Sequence, residues 1–182
     1  MNQATKNLED DHVNILQLIE IMGVMTSKSE PNIIHLEEAV DLIKNYADGM
    51  HHAKEENLLF PKLGEHGFSS VQGPVGMMLQ EHTIGREYVR GITEALGLLK
   101  GGDLSGISLA YLNMFRYGEL LEHHIYKENN MLFRMADEAL SDQEQEALYL
   151  KFQTIENQGV NGQSKNDFID RITALKTAYI PS

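Results

Sequence analysis

The chain has 182 residues, 42% of them hydrophobic, with 27 acidic against 15 basic side chains and a formal net charge of −12. That length suits one sizeable core, while the excess of acid argues against nucleic acid and against an anionic membrane surface, both of which need clustered Lys and Arg. Cysteine is absent, so disulfides, thiolate zinc sites and cysteine-ligated iron–sulfur clusters are excluded, and any metal must be held by His and carboxylate.

The opening MNQATKNLEDDH lacks the basic start and apolar run of a signal peptide, and no stretch approaches the roughly 18 apolar residues of a membrane span. A cytoplasmic protein is expected. Helix formers dominate, and the four prolines, Pro31, Pro61, Pro74 and Pro181, stand where segments should start or stop. The first helix spans about Thr5 to Thr26, with Leu8, His12, Ile15, Leu16, Ile19 and Met22 recurring at three- and four-residue steps. A second helix opens at Pro31 and ends around Pro61 to Leu63, its inner face reading Leu36, Val40, Ile43, Ala47, His51, Glu55 and Leu58.

After a connection at Gly64 to Gly73, a third helix runs from Pro74 to about Lys100, with Met78, Leu79, His82, Val89 and Ile92 inward. A fourth, from about Ser105 to Leu140, carries Leu109, Leu112, Tyr117, Leu120, Leu121, His124, Glu128, Met131, Leu132 and Met135 on its stripe. Four long helices with short connections predict an all-α, up-down-up-down four-helix bundle over residues 1–140. Residues 141–182 form an extension of two further helices. One starts at the capping-box pattern Ser141 to Glu144, and the other runs from Ser164 to Ala178. The extension packs on the bundle or against a second subunit of a homo-oligomer.

Chemistry concentrates in a repeat. His51 to Phe60 reads HHAKEENLLF, and 73 positions on His124 to Phe133 reads HIYKENNMLF, so that His51, Lys54, Glu55, Asn57, Leu59 and Phe60 all recur. Helical phase separates ligands from bystanders, because a bundle-core metal needs inward-facing side chains. His51 with Glu55 and His124 with Glu128 lie on apolar stripes. His52, beside Asp48 and Glu56, and His123, beside Glu119 and Lys127, are expected to face away. His12 and His82 stand alone on the inner faces of the first and third helices, each preceded by an acid, Asp11 and Glu81. His35 and His66 fall at a helix start and in a loop. Either lone histidine, taken singly, reads more readily as a hydrogen-bonded core residue than as a ligand. The set of four with two matched glutamates reads as a metal site, since adjacent buried carboxylates need cationic compensation.

Four imidazoles and two carboxylates suit a pair of iron ions, with manganese or zinc as alternatives. Glu55 and Glu128 are each able to bridge two metals, and positions stay open for oxo or hydroxo bridges, water or a diatomic gas. These residues resemble the hemerythrin-like, or HHE cation-binding, family in Asp11-His12, in His51 to Pro61, in Glu81-His82-Thr-Ile-Gly85 and in Glu122 to Asn129. The resemblance implies a bundle around a non-haem di-iron centre with His12, His51, Glu55, His82, His124 and Glu128 as ligands. Oxygen-carrying hemerythrins have a further histidine one turn after the third-helix ligand, where this sequence has Arg86. The site is more similar to the six-ligand branch implicated in repair of damaged iron centres, although that branch carries a cysteine-bearing extension.

The expected function is binding or sensing of O2 or NO, or holding iron. The alternative is a di-iron redox enzyme acting on peroxide (H2O2), NO or O2, with Tyr117 either a pocket phenol or a core aromatic. On sequence alone, Glu55→Ala or Glu128→Ala should cost metal occupancy, whereas His52→Ala or Glu56→Ala should leave most of it.

Overall fold

The computed structural model describes residues 3–180, so Pro181 lies outside the described residues. Among those residues the chain forms six helices and no β-strand. Helix α1 is Gln3–Thr26. Helix α2 (33–65) starts with Ile33–Leu42 behind Asn32, whose side chain accepts the His35 N–H. Pro31 therefore stands ahead of the helix rather than opening it, because an Asn side chain satisfies a free first-turn N–H that proline cannot.

Helix α2 then widens. Over Ile43–His52 and again over Glu55–Leu59 the backbone bonds i→i+5, closing with Ala53 N–H on Asp48 C=O and Phe60 N–H on Glu55 C=O, before Phe60–Glu65 returns to ordinary α geometry. Helix α3 is Gly73–Lys100. Helix α4 (105–139) repeats the widening once. Between Ser105–Lys127 and Phe133–Ala139, the turn Glu128–Leu132 closes with Phe133 N–H on Glu128 C=O. Such turns are rare and cluster at functional sites. Here two of them begin at Glu55 and Glu128.

Helices α1 to α4 make the up-down-up-down bundle. Its core is split. One apolar cluster gathers Ile15 to Met25 of α1, Leu36 to Met50 of α2, Val89 to Leu99 of α3 and Met114 to Ile125 of α4. The other gathers Ala4 and Leu8, Leu59 to Leu63, Val75 and Met78, and Leu132 to Leu140. On α1, α2 and α3 the sequence-selected His and Glu fall between the two clusters, as Glu128 does on α4, where His124 sits at the edge of the first cluster, so the polar groups form one layer sandwiched by hydrocarbon. Leu16, Leu109, Leu112, Met131 and Met135, expected on inner stripes, are exposed. The seam of α4 follows Ala110, Met114, Tyr117, Gly118, Leu121 and His124 instead, because small residues let the helices approach and large neighbours one position off are turned outward.

The last two helices, α5 (Asp142–Gln158) and α6 (Lys165–Tyr179), each begin at a complete capping box, Ser141 with Glu144 and Ser164 with Asp167. Both lie along α1, and α6 also reaches the start of α2. Phe152 and Leu148 of α5 enter the second cluster, while Phe168, Ile172 and Leu175 of α6 enter the first. Gly159 makes the turn between them at φ 69°, where a Cβ would meet the Gln163 carbonyl oxygen at 2.2 Å.

Phe152 is wholly buried. Phe152→Ala should therefore cost about 3–5 kcal/mol in denaturant unfolding. A loss below about 1 kcal/mol would show that α5 does not share the bundle's core.

Candidate metal centre

Each of the six sequence-selected residues comes from a different helical turn, and the fold brings all six together, no more than 2% exposed. The imidazoles meet in two pairs. His12 Nε2 and His51 Nε2 are 3.0 Å apart, and His82 Nε2 and His124 Nε2 are 3.1 Å apart. Glu55 and Glu128 lie between the pairs. Glu128 Oε2 is 3.2 Å from both His12 Nε2 and His124 Nε2, and Glu55 Oε2 is 3.6 Å from His51 Nε2 and 3.5 Å from His82 Nε2.

The outer ring nitrogens are all held, and the pattern has a pseudo-twofold. His51 Nδ1 donates to Asp11 at 3.2 Å and His124 Nδ1 to Glu81 at 3.0 Å. Thus the acid that precedes each lone histidine holds the histidine of the neighbouring helix, not its own. His12 Nδ1 donates to Asn129 at 2.7 Å and His82 Nδ1 to Glu56 at 2.7 Å, residues that directly follow Glu128 and Glu55. Acceptors at Nδ1 place the proton there and leave the Nε2 lone pairs aimed inward, as metal-ligating histidines require. Asn129 stands in the fourth-helix motif without an assigned role, and the 73-residue offset pairs it with Glu56.

Two nitrogen lone pairs facing each other at 3.0 Å repel unless something positive lies between them. All four oxygens of Glu55 and Glu128 are likewise buried without a hydrogen-bond partner, which is costly for carboxylates in a low-dielectric core. Without a cation, protons fill that role unevenly. Burial, with Glu128 close by, pushes the Glu55 carboxyl well up. Burial also opposes ionisation of Glu128, but the neighbouring His124 and His12 outweigh it and hold that carboxyl well down. Burial disfavours the His124 imidazolium, yet Glu128 and Glu81 hold it up at about 9. Burial pushes His51 down to about 4, with Asp11 opposing. The donor set is therefore chemically suited to cations, and two groupings of donors fit one each: His12, His51, Glu55 and Glu128, and His52, Glu55, His82 and His124.

The second grouping corrects the expectation for His52. It is 6% exposed and faces the centre, because the wide turn over Ile43–His52 packs more residues per turn and draws both members of the His-His pair inward. Glu56 does lie behind, on His82 and Arg86. His123 is exposed, with its ring on the Glu119 carbonyl. His35 pairs with Tyr179 and His66 with Glu144, both away from the centre.

Behind Asp11 a charged network is buried. Lys54 Nζ sits 2.5 Å from Asp11, 2.7 Å from Asn7 and 2.8 Å from Glu156 of α5, and Lys165 of α6 reaches Asp11 at 2.7 Å. Its counterpart on the other half, Lys127 on Glu81, is only partly buried. Beside that half, a cavity of about 330 Å³ reaches from Ile43 and Val89 past Tyr117 to His52, His82 and His124. Tyr117 is a buried core residue that lines it.

A four-helix bundle with a buried layer of imidazoles around two carboxylates that lack hydrogen-bond partners defines a cation-binding bundle protein. Residues 3–136 match the Hemerythrin HHE cation binding domain, and the chain belongs to that family. Helices α5 and α6 lie beyond the matched span. No curated protein and no solved structure matches the chain.

Because His124 is held protonated to about 9, a cation taking its place must expel a proton at neutral pH. Acid should weaken cation binding, and raising the pH through about 9 should remove the competition from His124. Calorimetric titration at pH 7 in buffers of different ionisation enthalpy should give buffer-dependent heats. Heats independent of buffer would contradict this protonation pattern.

Proposed function

We propose that the protein holds two iron ions and uses them to bind a small ligand, O2 or NO, reversibly. The observation that carries this reading is a pair of buried carboxylates, none of whose four oxygens has a hydrogen-bond partner, among four inward Nε2 atoms. His12 and His51 would hold one ion and His82 and His124 the other, with Glu55 and Glu128 between them. Four imidazole nitrogens with two carboxylates are a donor set that suits iron, with manganese or zinc as alternatives.

Iron, when bound, would supply a Lewis-acidic, redox-active position for a diatomic molecule or peroxide. The chain's own residues do the rest. Asp11, Asn129, Glu56 and Glu81 fix the ring orientation and tautomer of the four histidines. The hydrocarbon clusters above and below exclude water, and the cavity beside His82 and His124 gives a small molecule a way to that half.

Elemental analysis of purified protein should find two irons per chain. Adding O2 or NO to the anaerobically reduced protein should produce near-ultraviolet and visible bands that fade when the gas is removed. Full loading with an unchanged spectrum would sink the proposal, and many turnovers of NO or peroxide per chain would replace reversible binding with redox catalysis. Glu55→Ala and Glu128→Ala should each lower iron content at least tenfold while the fold persists. Unaltered content in either variant would remove that carboxylate from the centre.

A further inference from the structure

The cavity beside His82 and His124 is larger than a diatomic gas needs. At about 330 Å³ it holds the volume of roughly eleven waters at about 30 Å³ each, and is about twice the size of a hydrocarbon-lined cavity that admits benzene. It also runs far from the polar layer. His82 and Thr93, both on its wall, stand eleven residues apart on α3, which is about 16 Å at 1.5 Å per residue. Ile43, Gly85, Val89, Leu120 and Leu121 make the wall apolar, and the exposed side chains of Lys44, Arg86 and Arg90 mark where it opens to solvent. A concave apolar site with a few polar groups is the form that small-molecule sites take.

We propose that this cavity binds a small organic monocarboxylate with an apolar body of about eight carbons, its carboxylate held by Tyr117 and Lys44. The inference goes beyond the di-metal reading and rests on the cavity's own residues.

Outside the histidines, the polar groups on the wall select the head group by what they leave unmatched. Asp48 accepts from His52 and Arg86, and Glu81 from His124 and Lys127. Arg90 is paired with Glu87 and Glu94, and Thr93 donates to the Val89 carbonyl. Two donors remain. Tyr117 is 3% exposed, yet its hydroxyl has no hydrogen-bond partner among the described residues, which is unusual for a buried tyrosine. Burial pushes its ionisation up, so it stays a donor. Lys44 has no ion pair among the described residues, and the acids one and two turns before it are held elsewhere, Glu37 by Lys100 and Glu38 and Asp41 by Arg171. A carboxylate offers an acceptor to both donors and a charge to the lysine. Tyr117 stands seven residues before His124, so a head group there lies about 10 Å from the polar layer and the apolar body fills the stretch between them. Gly85 keeps that stretch wide, since a Cβ there would already touch the Tyr117 ring at 3.6 Å and Leu120 at 3.8 Å.

Calorimetric titration of the purified full chain with octanoate tests this. One molecule should bind per chain, acetate should not bind, and 1-octanol, the same body without the charge, should bind at least about tenfold more weakly. Lys44→Met should cost about tenfold and Tyr117→Phe about fivefold in affinity. Val89→Phe, which fills the lumen, should abolish binding, and Leu120→Phe takes its place if thermal melts show that the first variant folds poorly. Lys151→Met, an exposed lysine of α5 away from the cavity, should change nothing. Octanol bound as tightly as octanoate, or octanoate bound undiminished by a folded lumen-filling variant, would overturn the proposal. Iron content measured on the same samples separates the two readings. Octanoate binding by a chain that takes up no iron would refute the di-metal reading alone, and two irons with no octanoate binding would refute this one alone.

Discussion

Two carboxylates, Glu55 and Glu128, lie side by side in the middle of a hydrocarbon core with no hydrogen bond to any of their four oxygens. Desolvating one such group costs several kcal/mol, and mutual repulsion adds to it. The surrounding structure is organised to place positive charge there. Four helices each present one imidazole Nε2 to the pair, each held from behind by an acceptor on another helix. Those cross-helix hydrogen bonds tie the bundle together through its most polar layer, so the layer that would weaken a hydrophobic core also fixes its register. The wide turns at Glu55–Leu59 and Glu128–Leu132 belong to the same constraint, since each begins at a central carboxylate.

The twofold pattern of the centre is broken from outside. On one half, Asp11 is enclosed by Lys54, Lys165 and Glu156, two of which come from α6 and α5. On the other, Glu81 meets only Lys127 and His124, and a cavity lies alongside. The sealed half has two imidazoles within reach and the open half three. Low dielectric strengthens each charge pair around Asp11, but two cations on one carboxylate also make it a weaker acceptor for His51 than an unshared carboxylate would be. A carboxylate on each half thus supports its histidine with different strength, and the extension beyond the family's matched span contributes to the difference.

The bundle and its six inner polar residues were legible because a 3.6-residue period and a repeated His-x-x-x-Glu survive in the one-dimensional string. What failed came from two physical causes. Stripe assignments weigh large apolar side chains, so Leu109 and Leu112 drew the stripe of α4 off its true seam, which follows Ala110 and Gly118. The fixed helical period also assigned His52 to the outside, and a ten-residue stretch of i→i+5 bonding, which no residue pattern announces, turned it inward. The supports were half visible. Asp11 and Glu81 stood next to histidines in sequence, but each holds the histidine of a different helix, a crossing that only the packed bundle reveals.

The wide turn also accounts for two adjacent histidines both lying buried at the polar layer. On a regular α-helix, neighbours diverge by about 100°, so the His-His pair would set one ring inside and the other at the edge of the stripe. Bonding to i+5 lessens the rotation per residue and narrows that divergence. His51 then reaches the His12 side while His52 stacks on His82. The cost is poorer backbone geometry over Ile43–His52, and it is offset where the segment is best buried: Ile43, Tyr46, Ala47 and Met50 all lie in the core, with Tyr46 donating to Asp11 at 3.2 Å. Backbone strain, the inward His-His pair and the anchored Asp11 therefore belong to one arrangement. Relaxing the turn to ordinary helix would withdraw His52 and disturb the support of His51 together.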